Sequence, residues 1–295
     1  LAALADLAAR HREDLSHPVA PVRLGGRLVD TDAHPVVMGS LNLSRDSTYR
    51  DSVATSTSSA IRRGLLLAAE GADLVDLGAE STNATAQRVD PTRQIELLTP
   101  VVKALAAEGV SVSAETYDPD VARACLDAGA DVVNFTGRGH DDRVFDLVAE
   151  YAATLVLCSV QGSDVRDVED VQREGDPVPG YLEAFRERVA NARARGVDQI
   201  VLDPGLGFYY GNLTEPAVRV DYQTRVLLRT FRLRSLGLPV CHALPHAFDL
   251  FQEQFRTAEP MFAVLARLGG TGVFRTHEVA KVRAVLDALQ QLQVG

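Results

Sequence analysis

From Pro35 to the C-terminus, short β-branched and aliphatic runs alternate with longer amphipathic ones, and the alternation repeats eight times. A period that switches between two and 3.6 calls for strands and helices in turn, which is the pattern of consecutive βα units. Strands are expected at 36 to 43, 72 to 78, 110 to 116, 131 to 135, 153 to 159, 199 to 203, 239 to 243 and 272 to 276. Helices are expected at 57 to 70, 91 to 108, 119 to 128, 142 to 152, 178 to 195, 215 to 236, 259 to 269 and 278 to 293. In the last of these, Val279, Val282, Val285, Leu286, Leu289 and Leu292 keep one face apolar, while Lys281, Arg283 and Gln290 lie off it. Gly71, Gly109, Gly129, Gly196 and Gly237 each fall where a helix closes before the next strand.

The strands are too apolar to leave a face in water, so both faces must be covered. An α/β fold follows, and a closed (β/α)8 TIM barrel fits better than an open doubly wound sheet, its rival. A length of 295 residues suits one barrel as well as two ordinary domains, so the repeat and not the length argues for one. Ahead of the barrel, residues 22 to 29 read as a hairpin around Gly25-Gly26 that caps the barrel bottom. Residues 1 to 19 are Ala-rich and read as one helix packed on the outside, giving a helical extension over 1–19 and a barrel over 20–295.

Composition narrows the partners. A net charge of −10 with no basic run opposes nucleic-acid binding. No apolar run approaches the roughly 18 residues of a membrane span. The first residues are broken by Asp6, Arg10, Arg12, Glu13 and Asp14, unlike a signal peptide, so a cytoplasmic protein is expected. Cys125, Cys158 and Cys241 are far apart and form no CxxC pair; buried free thiols are the expectation.

Several apolar runs end in a polar side chain. Ile200-Val201-Leu202 leads into Asp203-Pro204-Gly205-Leu206-Gly207-Phe208, and similar endings occur at Asn42, Asn134 and Arg275-Thr276-His277. All strand ends of a parallel barrel share one mouth, so Asn42, Glu115, Asn134, Asp203, Arg275 and His277 are expected to meet there. Glu115, Asn134 and Asp203 suit a flat heterocycle with adjacent N–H donors. Asn42, Arg275 and His277 suit an anion such as a phosphate, with Asn42 able to carry a metal-bound water. Three long connections, at 44 to 56, 79 to 90 and 244 to 258, lie at the same rim.

Blander readings compete at each position. Asp203 before Pro-Gly also caps turns, Asn134 also satisfies loop backbone, and His277 before Glu278 also begins a helix. His242 and His246 have the i, i+4 spacing of a zinc helix, but Pro245 disfavours that helix and no third ligand is evident. His140-Asp141-Asp142 reads as a solvated loop entering a helix, and Gly269-Gly270 as a helix stop. No GxGxxG or GxxxxGK[ST] phosphate loop occurs.

Met38-Gly39-Ser40-Leu41-Asn42-Leu43-Ser44, Asp76-Leu77-Gly78-Ala79-Glu80-Ser81-Thr82, Asn134-Phe135-Thr136-Gly137, Asp203 to Phe208 and Arg275-Thr276-His277-Glu278-Val279 together resemble the signatures of the dihydropteroate synthase (pterin-binding) family, in the family's order. The resemblance spans about residues 22 to 290. It implies a homodimeric barrel that joins 6-hydroxymethyl-dihydropterin diphosphate to an amine, p-aminobenzoate in the family, with Mg²⁺ helping the diphosphate depart. Carried over, Asp203 and Asn134 match the pterin-gripping acid and amide, Glu115 falls where the family has Asp, and Thr82, Gly207 and Phe208 join the substrate-binding set. Asn42, Arg275 and His277 match the diphosphate and Mg²⁺ side, and Asp46 an acid that orders the first loop.

Departures from the family pattern cluster on the second-substrate side. Asn83-Ala84-Thr85 replaces Arg-Pro-Gly, removing a loop arginine whose part Arg45, in the first loop, is expected to take. Ala243-Leu244-Pro245-His246-Ala247 replaces Gly-x-Ser-Arg-Lys, removing a lysine. Gly207-Phe208-Tyr209-Tyr210 replaces Gly-Phe-Gly-Lys, Cys158-Ser159-Val160-Gln161-Gly162 replaces Met-His-Met-Arg-Gly, and Phe135 stands for an Asp. Two alternatives follow: a folate-dependent one-carbon transferase, against which the retained Arg275 and His277 argue, and a silent pterin-binding paralogue.

Overall fold

The structure, a computed structural model, describes residues 2–44, 56–81, 86–160, 162–165, 167 and 170–292. The chain opens with helices α1 (Ala2–Arg10) and α2 (Arg12–Ser16), then an antiparallel hairpin of β1 (Val22–Leu24) and β2 (Arg27–Val29). The expected single N-terminal helix is thus two, parted at His11, whose φ of −124° and ψ of 39° are not helical.

Eight parallel strands follow: β3 (Val36–Asn42), β4 (Leu74–Gly78), β5 (Val112–Thr116), β6 (Val132–Phe135), β7 (Thr154–Cys158), β8 (Gln199–Asp203), β9 (Cys241–Ala243) and β10 (Val273–Thr276). Each pairs with its sequence neighbour from β3 to β8, β10 pairs with both β3 and β9, and a parallel bridge from Leu202 to Val240 closes the ring. The open-sheet rival is thereby excluded. Helices α3 (Thr57–Ala69), α4 (Pro91–Ala107), α5 (Pro119–Asp127), α6 (Asp141–Glu150), α7 (Val178–Ala194), α8 (Pro216–Leu227), the single-turn α9 (Phe248–Phe251), α10 (Ala258–Leu268) and α11 (Val279–Gln291) connect the strands.

Strand alternation divides the core in two. Val36, Met38, Leu74, Val132, Val156, Val201 and Val273 point into the barrel, and Val22 and Leu24 of the hairpin plug it from below. Val37, Leu41, Val75, Leu77, Val133, Leu155 and Leu202 point outward against the helices. The plug is fastened by Arg23 N–H donating to Gln199 Oε1 at 2.9 Å and Thr154 Oγ1 donating to the Arg23 carbonyl at 2.7 Å.

Two further elements differ from expectation. The helix expected over 215 to 236 stops at Leu227 and resumes as a 3₁₀ stretch, Thr230–Leu236. At that break the chain passes so close to Gly269 that a Cβ there would lie 1.8 Å from the Leu227 carbonyl oxygen. The strand expected from 239 begins at Cys241, because Pro239 has no N–H to give a ladder; Val240 forms the closing bridge, and its carbonyl accepts the Gly272 and Val273 N–H groups. One polar reading is corrected: Asp141 is not solvated but holds Arg188 through bonds of 2.8 and 2.7 Å, and Arg188 runs on to the carbonyls of Cys158 and Gly137. All three cysteines are buried and free.

Candidate active site

The deepest polar layer of the barrel centres on an acid that the sequence reading quoted but did not single out. Asp76 lies in mid-strand on β4 with its side chain fully buried, and a carboxylate there must find partners. It accepts from Ser113 Oγ at 2.6 Å, from Asn134 Nδ2 at 3.2 and 3.3 Å, and from Arg275 Nε at 2.7 Å. Arg275 also donates through Nη2 to Glu115 Oε2. One guanidinium therefore bridges two carboxylates, and the cation assigned to an anion is bonded directly to an acid of the ring-binding set. The two chemical sets are joined in space, with Arg275 at the seam.

Asn134 is oriented by the same network. Its amide nitrogen faces Asp76, and its oxygen accepts from Cys158 Sγ at 3.4 Å. Asp203 ends β8 beside Cys158, its register partner, and accepts the Gly205 N–H at 2.8 Å through Oδ1. That N–H is aimed by a φ of +77° at Gly205, where a Cβ would sit 2.7 Å from the Ser159 carbonyl oxygen. Gly205→Ala is therefore expected to cost about 1–3 kcal/mol and to loosen the turn behind Asp203. Denaturant unfolding checks the cost, and an unchanged midpoint would refute the strain.

Burial pushes Asp203 up to about 6, against the Gly205 N–H and Arg275, which lower it. Burial likewise pushes Glu115 up to about 7, although Arg275 pulls the other way. Both folded values exceed the unfolded values near 4, so the folded state binds protons more tightly. Stability is then expected to fall as pH rises from about 4 to about 7, and to stay low above that. Urea midpoints across that range test this; a rise instead of a fall would contradict it.

Above this floor opens a cavity of about 330 Å³ whose wall includes Asn42, Glu115, Gly207, Phe208, Arg275 and His277. A smaller recess below it reaches Asn134 and Asp203. The six residues expected to converge on the mouth, together with Gly207 and Phe208, thus border two adjoining spaces. Asp46, Thr82 and Arg45 lie outside the described residues. Ser40 Oγ, on the cavity wall, is buried without a hydrogen-bond partner among the described residues.

Two further residues escaped the sequence reading. Glu80 accepts from Tyr117 Oη at 2.9 Å and the Val89 N–H at 2.7 Å, tying the second long connection to β5. Glu259, in the first turn of α10, is buried, and its Oε1 meets His246 Nδ1 at 2.9 Å and His277 Nδ1 at 3.0 Å. Burial raises Glu259, but the two imidazoles outweigh it and hold the carboxyl well below its ordinary range. Burial pushes His277 below the usual imidazole value, with Glu259 opposing. The discounted His242–His246 zinc pair does not form, since His242 sits inside β9 and bonds Thr230 Oγ1 at 2.8 Å. The partners that His246 lacks in the sequence are supplied in space by Glu259 and His277.

A closed parallel barrel with acids, an amide and an arginine at the carboxyl ends of its strands belongs to the class of barrel enzymes that bind a small polar molecule in the mouth. The family profile described as pterin binding enzyme matches residues 38–237. A dihydropteroate synthase of Mycobacterium leprae (strain TN) is 34% identical over 86% of this chain and 91% of its own length. A dihydropteroate synthase type-3 of Escherichia coli is 32% identical over 86% and 97%. Among solved structures, Xanthomonas albilineans dihydropteroate synthase with 4-aminobenzoic acid superposes with a TM-score of 0.78 at 29% identity, covering 94% of this chain and 99% of that one. The same enzyme in complex with 7,8-dihydropteroate gives 0.71 at 26% identity over 94% and 99%. The chain belongs to the pterin-binding enzyme family and is a transferase of dihydropteroate synthase type. Among the described residues, no helix is long and apolar enough to cross a membrane.

Proposed function

We propose that this chain transfers a pterinylmethyl group from 6-hydroxymethyl-dihydropterin diphosphate to an amine, with p-aminobenzoate the first candidate. The observation that carries the reading is the recess where Asp203, Asn134 and Glu115 converge beneath the cavity. A carboxylate at Asp203 accepts from adjacent ring N–H groups, Asn134 fixes the ring's edge, and Glu115 closes the other side. Gly207 and Phe208 bound the ring laterally, and the family resemblance gives Thr82 a part in substrate binding and Asp46 a part in ordering the first loop. Arg275, His277 and Asn42 face the diphosphate.

Transfer breaks the methylene C–O bond, and the diphosphate leaves with the electron pair. The amine nitrogen forms the new C–N bond and loses one proton. Arg275 and His277 stabilise the negative charge on the departing oxygens, in a pocket where fixed donors outperform water.

The family implies Mg²⁺, and oxygen donors suited to a hard cation are at hand. A Cβ added at Gly78 would lie 3.5 Å from Asn42 Oδ1 and 3.1 Å from Glu115 Oε2, the oxygen that Arg275 already holds, so that glycine leaves space beside both. Asn42 would hold the ion, which supplies charge neutralisation to the diphosphate when bound. We further expect a cytoplasmic homodimer in which residues 1–19 form an extension and 20–295 the barrel.

The test is product formation from the pterin diphosphate, p-aminobenzoate and Mg²⁺, read as released diphosphate and a coupled pterin. Binding without turnover across a panel of amines would replace this reading with a silent pterin-binding protein. Product from methyl-tetrahydrofolate instead would replace it with one-carbon transfer.

A further inference from the structure

We propose that His246, Glu259 and His277 form a binding site for a divalent ion of the zinc type on the wall of the active-site cavity. The three come from separate elements: the connection after β9, the first turn of α10 and the end of β10. One potential ligand atom from each lies within 4.8 Å of the other two. Both Nδ1 atoms already stand 2.9 and 3.0 Å from Glu259 Oε1. Four-coordinate zinc with bonds near 2.0–2.1 Å spaces its ligands by about 3.3 Å, so each imidazole nitrogen need draw away from the carboxylate oxygen by only a few tenths of an ångström.

The carboxylate is built for the task. Glu259 Oε2 accepts from the Thr276 hydroxyl, from the His277 N–H at 2.8 Å and from the Glu278 N–H at 3.2 Å. These bonds fix the carboxylate and turn Oε1 toward the imidazoles, as outer partners do for metal-ligating groups. Two nitrogens and one carboxylate oxygen favour a borderline transition ion over Mg²⁺, which prefers oxygen throughout.

His246 and His277 both border the cavity, so water or an anionic oxygen of a bound ligand would complete the shell. The ion would supply positive charge beside the segment Ala243 to Ala247, which holds no lysine or arginine of its own. Its role as an anion anchor rests on the transfer reaction proposed above; its binding does not.

The test uses the full chain, stripped with a chelator and titrated with Zn²⁺ alone against a chromophoric indicator. One equivalent is expected to bind, and His246→Ala and Glu259→Gln are each expected to weaken it by at least about 10- to 100-fold, the cost of losing even an outer partner. His246 has a partly exposed side chain, so His246→Ala keeps the test valid if Glu259→Gln fails to fold. His34→Ala, paired with Asp73 away from the cavity, serves as the control and is expected to bind as wild type. No binding, or equal binding by wild type and His246→Ala, would overturn the site and leave a hydrogen-bonded triad only. Titration of the stripped protein with the pterin diphosphate separates the two readings: pterin binding without zinc binding sinks this proposal alone, and zinc binding without pterin binding sinks the other alone.

Discussion

Arg275→Ala is expected to lower stability by about 3–5 kcal/mol near neutral pH, because it strands buried carboxylates without their counter-charge. The Asp76 side chain is 0% exposed and that of Glu115 8%, so water cannot replace the guanidinium at either. Protonation of Glu115 can. Glu115 already sits up at about 7 with Arg275 beside it, and removing the cation pushes it further toward its neutral form. The deficit should therefore be largest at pH 8 and shrink toward pH 5. Urea unfolding of both proteins at the two pH values tests this, and a deficit that is small at pH 8, or that grows on acidification, would refute the bridge. The same substitution is expected to reduce transfer by about 10²–10³-fold, the usual cost of one donor to developing negative charge.

Asp203→Asn is expected to do the reverse to stability while abolishing function. Its carboxyl is raised by burial from an ordinary value near 4 to about 6, so ionising it penalises the folded state above pH 6 and not below pH 4. A shift of two units corresponds to roughly 3 kcal/mol, which bounds the gain from a neutral isostere at pH 8. The Gly205 N–H still finds an acceptor in the amide oxygen, so no buried donor is orphaned. Ligand binding should suffer, since an amide replaces one of the two acceptor oxygens by a donor and loses the charge. Pterin affinity is expected to fall by about 10²-fold or more, the scale of two charge-assisted bonds. A variant less stable than wild type at pH 8, or one that still binds pterin normally, would contradict this assignment.

The two substitutions show what was legible in the chain. Asp203, Asn134, Glu115 and Arg275 stand where apolar runs end, and once eight βα units are recognised, topology alone brings them to one rim. Asp76 left a visible signal, an acid between Val75 and Leu77 in an apolar strand, but its partner lies 199 positions away and nothing local names it. Glu259 was harder: an acid in the first turn of a helix is ordinary helix electrostatics until packing carries it against two histidines. The break at Leu227 left no mark in the periodicity, and the close packing of its backbone against Gly269 is a contact that local sequence does not report. Periodicity reports which face of an element is buried; it does not report which distant side chain waits there.

A crystal structure with a bound dihydropterin tests the central claim most directly. The ring is expected at the floor of the cavity with its nitrogen edge over the recess, the Asp203 carboxylate and the Asn134 amide both within hydrogen-bond reach of that edge. A ring bound elsewhere on the chain, or seated in the mouth with Asp203 beyond that reach, would contradict the account.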